Sequence, residues 1–199
     1  SAAEGCGADI RLDTPVTPEL VDQLAPDAVI VATGSRYLRP NIPGINGGNV
    51  AMLTDVERGR TVPGRKVLVC GGGSAGLAME GHEVAVADQL PLDGFAAGMP
   101  YFPRLDLLKS LAQRGVRLLP ERRVERFIAQ GAVLSGPDGT MKEEADTCVI
   151  ALGVRADTTL LDQLREKYPL EVLSAGDVDG GANLYDATHS AHFAALRIL

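Results

Sequence analysis

The feature that most constrains this chain is a glycine-rich loop set between two apolar runs. The first run, Arg65 to Cys70, is rich in β-branched residues, as a buried parallel strand is, and it leads into the pattern G-x-G-x-x-G at Gly71 to Gly76. The second run, Glu83 to Ala87, ends beside Asp88. A strand, a glycine loop, a helix start and an acid after the next strand together predict a dinucleotide site.

Each part of this fingerprint has a physical role. The first glycine permits the tight turn, the second lets the backbone approach a pyrophosphate, and the third lets the helix pack on the strand. The helix N-terminus from Ser74 faces the phosphates. Asp88 accepts hydrogen bonds from the ribose hydroxyls and repels a 2′-phosphate, and the nearest following cation is Arg104, so NAD(H) is expected over NADP(H). The predicted cofactor-binding residues are Gly71, Gly72, Gly73, Ser74, Ala75, Gly76 and Asp88.

Two further readings of this segment stay open. A glycine turn can occur in such a sheet without any ligand. The interval 77–82 is also too short for a usual crossover helix, since a connection between parallel strands normally takes about a dozen residues or more. Either the helix is unusually short or residues are absent from this sequence.

An internal repeat predicts a second unit of the same kind. The apolar run at Asp27 to Gly34 is echoed at Asp146 to Gly153, and the segment 7–12 before the first copy parallels 115–119 before the second. Helices are predicted from Thr17 to Leu24, from Leu105 to Arg114 and from Leu184 to Leu199. Only the second copy is preceded by a strand with a glycine-rich loop, at Arg65 to Gly76, so the first unit is expected to be incomplete on its N-terminal side.

Composition excludes several classes of function. A net charge of -7 and a pI of about 5.0 argue against nucleic acid and anionic membranes as partners. Cys6, Cys70 and Cys148 have the spacing of reduced thiols, and no metal site is expected, since His189 and His192 have no third ligand nearby. No apolar run approaches the roughly 20 residues of a membrane span, so the chain is expected to be cytoplasmic.

The order of short motifs resembles the pyridine-nucleotide-linked flavoprotein oxidoreductases. These motifs are Ala32-Thr33-Gly34-Ser35, Ile42-Pro43-Gly44, the fingerprint, Ala151-Leu152-Gly153 and Ala175-Gly176-Asp177. In particular, the chain resembles the C-terminal region of the 2,4-dienoyl-CoA reductase, trimethylamine dehydrogenase and histamine dehydrogenase group, whose members are NADH:flavin oxidoreductases of the old yellow enzyme type. The match runs through the whole sequence.

The resemblance implies an architecture and further site residues. The fold class is α/β, with two Rossmann-like three-layer units: a flavin/ADP-type domain in segments 1–45 and 154–199, an NAD(H)-binding domain at 61–153, and a linker at 46–60. Thr33 and Gly34 lie at the flavin-domain strand end, Gly153 near the nicotinamide nucleotide, and Gly176 and Asp177 beside the flavin. FAD or ADP is implied at the incomplete unit. FMN and an iron–sulfur cluster are implied only in an N-terminal region of a larger flavoenzyme, which would be the partner of this chain.

Two functions follow as hypotheses. In the first, the chain is part of an enzyme, binding NAD(H) for hydride transfer to or from flavin; no catalytic side chain is predicted, because hydride transfer is the chemistry of the cofactors. In the second, the region is a non-catalytic scaffold that binds ADP or another nucleotide in an amine dehydrogenase-like flavoprotein. An intact fingerprint favours the first, and the short interval after it favours the second. Assembly as a homo-oligomer is left open.

Overall fold

The structure is a computed structural model, and it describes residues 5–72, 81–168, 171–180 and 183–198. The chain divides into two compact units: unit 1 comprises Ser1–Arg36 and Ala156–Leu199, and unit 2 comprises Tyr37–Arg155. Both contain parallel strands and helices, so the predicted α/β class is confirmed. In the described part of the chain, no helix is long and apolar enough to cross a membrane.

Unit 2 is built from parallel strands, short helices and a β-meander. Its elements are β3 (Val50–Met52), α2 (Leu53–Glu57), β4 (Lys66–Cys70), β5 (Glu83–Ala87), α3 (Tyr101–Gln113), β6 (Arg117–Leu119), β7 (Arg123–Ile128), β8 (Gly131–Gly136), β9 (Gly139–Glu143) and β10 (Thr147–Ile150). Among the described residues, the main sheet has the order β3-β10-β4-β5-β6 with all neighbours parallel. The chain runs outward from β4 through β5 to β6, then returns to β10 on the other side of β4.

The main sheet of unit 2 is buried on both faces. On one face Leu68 and Cys70 of β4 pack against the antiparallel sheet β7-β8-β9, through residues such as Leu134. On the other face Val67 and Val69 pack in a cluster with residues of α2 and α3. The strand pattern correctly predicts burial on both faces. It does not predict that a β-meander covers one of them, because a strand buried by helices and a strand buried by another sheet have the same apolar pattern.

Unit 1 is organised around two parallel strands, β1 (Ala28–Val31) and β12 (Glu171–Ser174). Its helices are α1 (Pro18–Leu24), α4 (Thr159–Lys167) and α5 (Leu184–Leu196). The hydroxyl of Thr17 caps α1, as predicted, and the side chain of Asn183 caps α5. The two chain segments that connect the units, β2 (Ser35–Tyr37) and β11 (Val154–Ala156), pair with each other.

Three expectations differ from the observed elements. Helix α3 begins at Tyr101 and not at Leu105, since Pro103 lies in the first turn, where its missing N–H needs no helical partner. The segment 46–60, expected as a linker, contributes β3 and α2, because a three-residue strand leaves little periodic signal. The segment 7–12, expected to parallel 115–119, forms no strand, whereas 115–119 contributes β6.

Candidate nucleotide-binding sites

A cleft of about 1000 Å³ lies within unit 2, where β4, β5 and β10 end. Three of the predicted site residues meet in its lining: Gly71 after β4, Asp88 after β5 and Gly153 after β10. The carboxyl ends of parallel strands, at the point where the strand order reverses, are where open α/β sheets bind ligands. Also in the lining are Tyr37–Ile42, Leu53, Cys70, Ala87, Gln89, Leu90, Arg122–Val124, Ala151, Leu152 and Val154.

The backbone at Gly71 approaches the end of β10 too closely for a side chain. Gly71 has φ +117°, and a Cβ built there would overlap the carbonyl oxygen of Ala151. At Gly72, a Cβ would meet the ring of Phe95 at 2.8 Å. Gly71 therefore brings the loop after β4 against β10, and Gly72 brings it against the segment after β5. Of the two, Gly71 lines the cleft.

The carboxylate of Asp88 is held by two backbone amides. Its Oδ2 accepts the N–H of Gly72, and its Oδ1 accepts the N–H of Leu90 at 2.9 Å. Each carboxylate oxygen has two lone-pair sites, so both oxygens keep capacity to accept a further hydrogen bond. Asp88 thus joins the glycine loop to the end of β5 and keeps capacity to accept further hydrogen bonds.

The remaining residues of the fingerprint lie outside the described residues. These are Gly73, Ser74, Ala75 and Gly76, together with the helix expected after them. Their contribution to the site stays a prediction from the sequence. Within the described residues, the loop is represented by Gly71 and Gly72 before the gap and by Gly81 after it.

The charged run Glu121 to Arg126 predicts a solvated face, and Glu121, Arg123, Glu125 and Arg126 are indeed exposed, but residues 122–124 also line the cleft. Val124 is buried, and both Arg122 and Arg123 line the cleft. The Arg122 guanidinium binds both carboxylate oxygens of Asp138, which raises the pKa of Arg122 and lowers the pKa of Asp138. Counting charges along the sequence missed this role, since strand alternation sends neighbouring side chains to opposite faces.

Arg104, the first cation after Asp88 in the sequence, does not line the cleft and binds backbone carbonyls. The Arg104 guanidinium donates to the backbone carbonyls of Phe95 at 2.6 Å, Leu92 at 3.4 Å and Asp93. It ties the start of α3 to the preceding turn. Arg39, in contrast, lines the cleft and donates to Oδ1 of Asn46 at 2.8 Å.

Unit 1 brings the other predicted residues together at the ends of β1 and β12. Ser35 donates a hydrogen bond from its hydroxyl to Oδ2 of Asp177 at 2.8 Å, and Thr33 donates one to the carbonyl of Asp157 at 3.1 Å. Gly34 and Gly176 have φ values of +78° and +76°. Thr33, Gly34, Gly176 and Asp177 therefore form one set within unit 1.

A carboxylate that the sequence did not indicate organises this set. Asp157 receives the Arg36 guanidinium at 2.7 Å and the Thr159 hydroxyl at 3.0 Å, and these hydrogen bonds lower the pKa of Asp157. The loop at the end of β12 is held similarly, as the N–H of Gly176 donates to the hydroxyl of Ser190 at 2.9 Å. The contacts of Asp157 with Arg36 and of Gly176 with Ser190 are not local in sequence, so no short motif reveals them.

Neither the cysteines nor the histidines of the described residues form a second reactive centre. Burial raises the pKa of Cys70, and it raises the pKa of Cys148 to about 12, so both are neutral thiols in the core of unit 2. Cys6 is exposed. His189 stacks on Tyr185, with ring centroids 3.8 Å apart. No group of three potential metal ligands occurs among the residues that the structure describes.

Comparison with known proteins gives consistent matches over most of the chain. The sequence profile of the pyridine nucleotide-disulphide oxidoreductase family matches residues 10–181. An NADH oxidase of Thermoanaerobacter brockii is 27% identical over 203 residues, which cover 96% of this chain and 31% of that protein. A solved 2-naphthoyl-CoA reductase complex is 28% identical with a TM-score of 0.81, covering 94% of this chain and 29% of the other.

A more distant structure shares the fold alone. Histamine dehydrogenase from Rhizobium sp. 4-9 has a TM-score of 0.73 at 17% identity, covering 92% of this chain and 32% of its own. This chain therefore spans about a third of the length of the proteins that it resembles.

Proposed function

Since this chain belongs to the pyridine nucleotide-disulphide oxidoreductase family, we propose that it is the nucleotide-binding part of a larger flavin-dependent oxidoreductase, with NAD(H) bound in the unit 2 cleft. The observation that carries the proposal is the convergence of Gly71, Asp88 and Gly153 where the strand order reverses between β4 and β10. The narrower 2,4-dienoyl-CoA reductase group and its amine dehydrogenase relatives belong to the proposal as its most specific form.

In this proposal, four of the described residues hold the dinucleotide. Asp88 accepts from the adenosine ribose, Gly71 and Gly72 offer a backbone surface without side chains, and Gly153 lets the chain pass close to the nicotinamide nucleotide. When bound, the nicotinamide supplies the hydride chemistry. The protein's contribution is to bind and orient the nucleotide, so no acid or base side chain is required in this region.

Unit 1 is proposed as the flavin- or ADP-facing part. Thr33, Gly34, Gly176 and Asp177 lie where β1 and β12 end, the same kind of position that Asp88 has in unit 2. The described residues fit a polar ligand edge, since the Asp177 carboxylate and the Ser35 hydroxyl face each other at 2.8 Å. FMN and an iron–sulfur cluster belong, in this proposal, to the remainder of a larger enzyme.

The proposal is tested by titrating the purified chain with NADH, using calorimetry or nicotinamide fluorescence. Leu152→Glu places a carboxylate in the cleft beside Gly153, and we expect it to abolish binding, because the new charge repels the pyrophosphate. Val62→Glu is the matched control: this apolar residue of the same unit is exposed and outside the cleft lining, so the variant should bind as the unmodified chain does. Absence of NADH binding by the unmodified chain would overturn the proposal.

The second candidate, a non-catalytic nucleotide scaffold, is favoured by one observation. Parallel strands β4 and β5 are adjacent, yet only residues 71–82 connect them, close to the minimum for a crossover. A scaffold of this kind would bind ADP as tightly as NADH, because the nicotinamide half would contribute nothing. Competition between ADP and NADH in the same titration distinguishes the two candidates.

A further inference from the structure

Resting on the proposed dinucleotide site, we propose that Arg123 is a specificity-determining residue that pairs with the 2′-phosphate of NADP(H), so that the cleft accepts both dinucleotides. The sequence alone points the other way, because no cation follows Asp88 before Arg104. In the structure, Arg123 at the start of β7 lines the same cleft as Asp88.

The position of Arg123 follows from backbone hydrogen bonds between two segments. The N–H of Arg122 donates to the carbonyl of Asp88 at 2.7 Å, and the N–H of Glu121 donates to the carbonyl of Leu90 at 3.0 Å. The chain just before Arg123 therefore lies directly against the end of β5. Both Arg123 and Asp88 line the same cleft.

The charge balance of the cleft favours an anion beside Asp88. Its charged lining residues are the carboxylate of Asp88 and the guanidinium groups of Arg39, Arg122 and Arg123, in a chain whose net charge is -7. The carboxylate is compensated by the N–H groups of Gly72 and Leu90. Asp88 keeps its negative charge, so a 2′-phosphate beside it needs a cation of its own.

Arg123 differs from Arg122 in having no carboxylate of its own. Both terminal nitrogens of the Arg122 guanidinium donate to the carboxylate of Asp138, and the Arg122 side chain is only 17% exposed. Among the ion pairs of the described residues, none involves Arg123, which is exposed. An exposed guanidinium in a ligand cleft can present two parallel N–H donors to a phosphate, a geometry that arginine provides and lysine does not.

In dinucleotide-binding folds, the strand end that holds the ribose selects the cofactor: a carboxylate takes the 2′-hydroxyl, and a nearby arginine takes the 2′-phosphate. Here both groups are present, one from β5 and one from β7. The consequence is a cleft in which Asp88 serves NAD(H) and Arg123 serves NADP(H).

The test is calorimetric titration of the 199-residue chain with NADH and with NADPH, in parallel with Arg123→Gln and Arg126→Gln. Arg126 is the matched control, because it is an exposed arginine of the same strand that does not line the cleft. The unmodified chain is expected to bind the two dinucleotides within about tenfold of each other. In Arg123→Gln, NADPH affinity should fall on the order of tenfold to a hundredfold, with NADH affinity nearly unchanged.

The outcomes separate this inference from the proposed function. If both dinucleotides bind and Arg123→Gln weakens neither, or weakens both equally, the role of Arg123 is overturned and the nucleotide site stands. The same holds if the unmodified chain binds NADH and rejects NADPH. If neither dinucleotide binds, the proposed function fails and the role of Arg123 fails with it.

Discussion

The carboxylate of Asp88 accepts a hydrogen bond from the backbone N–H of Gly72, which joins the acidic end of β5 to the glycine loop after β4. In the fingerprint, these two residues are expected to act on different parts of a dinucleotide, the ribose and the pyrophosphate. In the proposed site, one side chain therefore both binds the ribose and fixes the loop that receives the phosphates. Loss of Asp88 should therefore affect both ends of the adenosine diphosphate half.

We expect Asp88→Ala to lower NADH affinity by about tenfold or more, because the ribose loses its acceptor and the Gly72 N–H loses its partner. Asp88→Asn keeps only one acceptor oxygen and should have an intermediate effect. Asp93→Ala removes an exposed carboxylate from the turn that follows and serves as the control. Calorimetric titration measures all four proteins, and unchanged affinity in Asp88→Ala would show that Asp88 has no contact with the ligand.

An ion pair with one buried partner gives a prediction for stability. The Arg117 guanidinium binds the carboxylate of Glu143, whose side chain is only 8% exposed, and this hydrogen bond raises the pKa of Arg117. Arg117→Ala leaves a buried carboxylate without its charged partner, so the free energy of unfolding should fall by about 1–3 kcal/mol. The measurement is equilibrium unfolding in urea.

A second ion pair of the same unit is the matched control for that experiment. The side chains of Arg65 and Glu83 pair at 2.6 Å, but they are 80% and 53% exposed. Exposed pairs contribute little, so Arg65→Ala should change the free energy of unfolding by less than about 1 kcal/mol. Equal losses in Arg65→Ala and Arg117→Ala would contradict the importance of burying Glu143.

The core thiols predict how stability depends on pH. Burial raises the pKa of Cys148 to about 12 from its ordinary value of 9.0. The unfolded chain therefore ionises this thiol first, and the folded state loses stability as the pH rises above 9.0, by up to about 1.4 kcal/mol per pH unit. Below that pH the contribution is fully present. We expect unfolding free energies measured above pH 9.0 to fall less steeply in Cys148→Ala than in the unmodified chain.

The exposed thiol provides the control for the pH dependence. Cys6→Ala removes a group that solvent already reaches, so its stability should fall with pH as steeply as that of the unmodified chain. In the folded protein a thiol reagent should modify Cys6, and Cys70 and Cys148 should react only after unfolding. Rapid modification of all three thiols in the native state would mean that the core of unit 2 opens readily.

The colour of the purified chain tests the proposal for unit 1. In the described part of this unit, the sheet consists of β1 and β12, and the sequence has no G-x-G-x-x-G loop after either strand. Without such a loop there is no anchor for the pyrophosphate of FAD. We expect the chain, purified without added cofactor, to lack flavin absorbance. Stoichiometric flavin would show that Gly34 and Asp177 hold it without that loop.

Much of the secondary structure and the family were accessible from local patterns. The apolar runs at β4, β5 and β10 predict buried parallel strands because such strands need hydrophobic residues on both faces. The hydroxyl of Thr17 before Pro18 predicts the start of α1 because helix caps are local interactions. The glycine pattern, together with the flanking motifs, indicated the broader oxidoreductase family that the sequence profile confirms.

What covers a strand, and which loops meet at its end, was decided only by the tertiary structure. The run Glu121 to Arg126 predicts a charged surface, and the structure adds that the backbone hydrogen bond from Arg122 to the carbonyl of Asp88 places residues 122–124 in the lining of the cleft. A backbone hydrogen bond between distant segments does not depend on residue type, so the sequence of neither segment predicts it. The local sequence therefore predicts the strands and the glycine loop, whereas the packing of distant segments places Asp88 and Arg123 in one cleft.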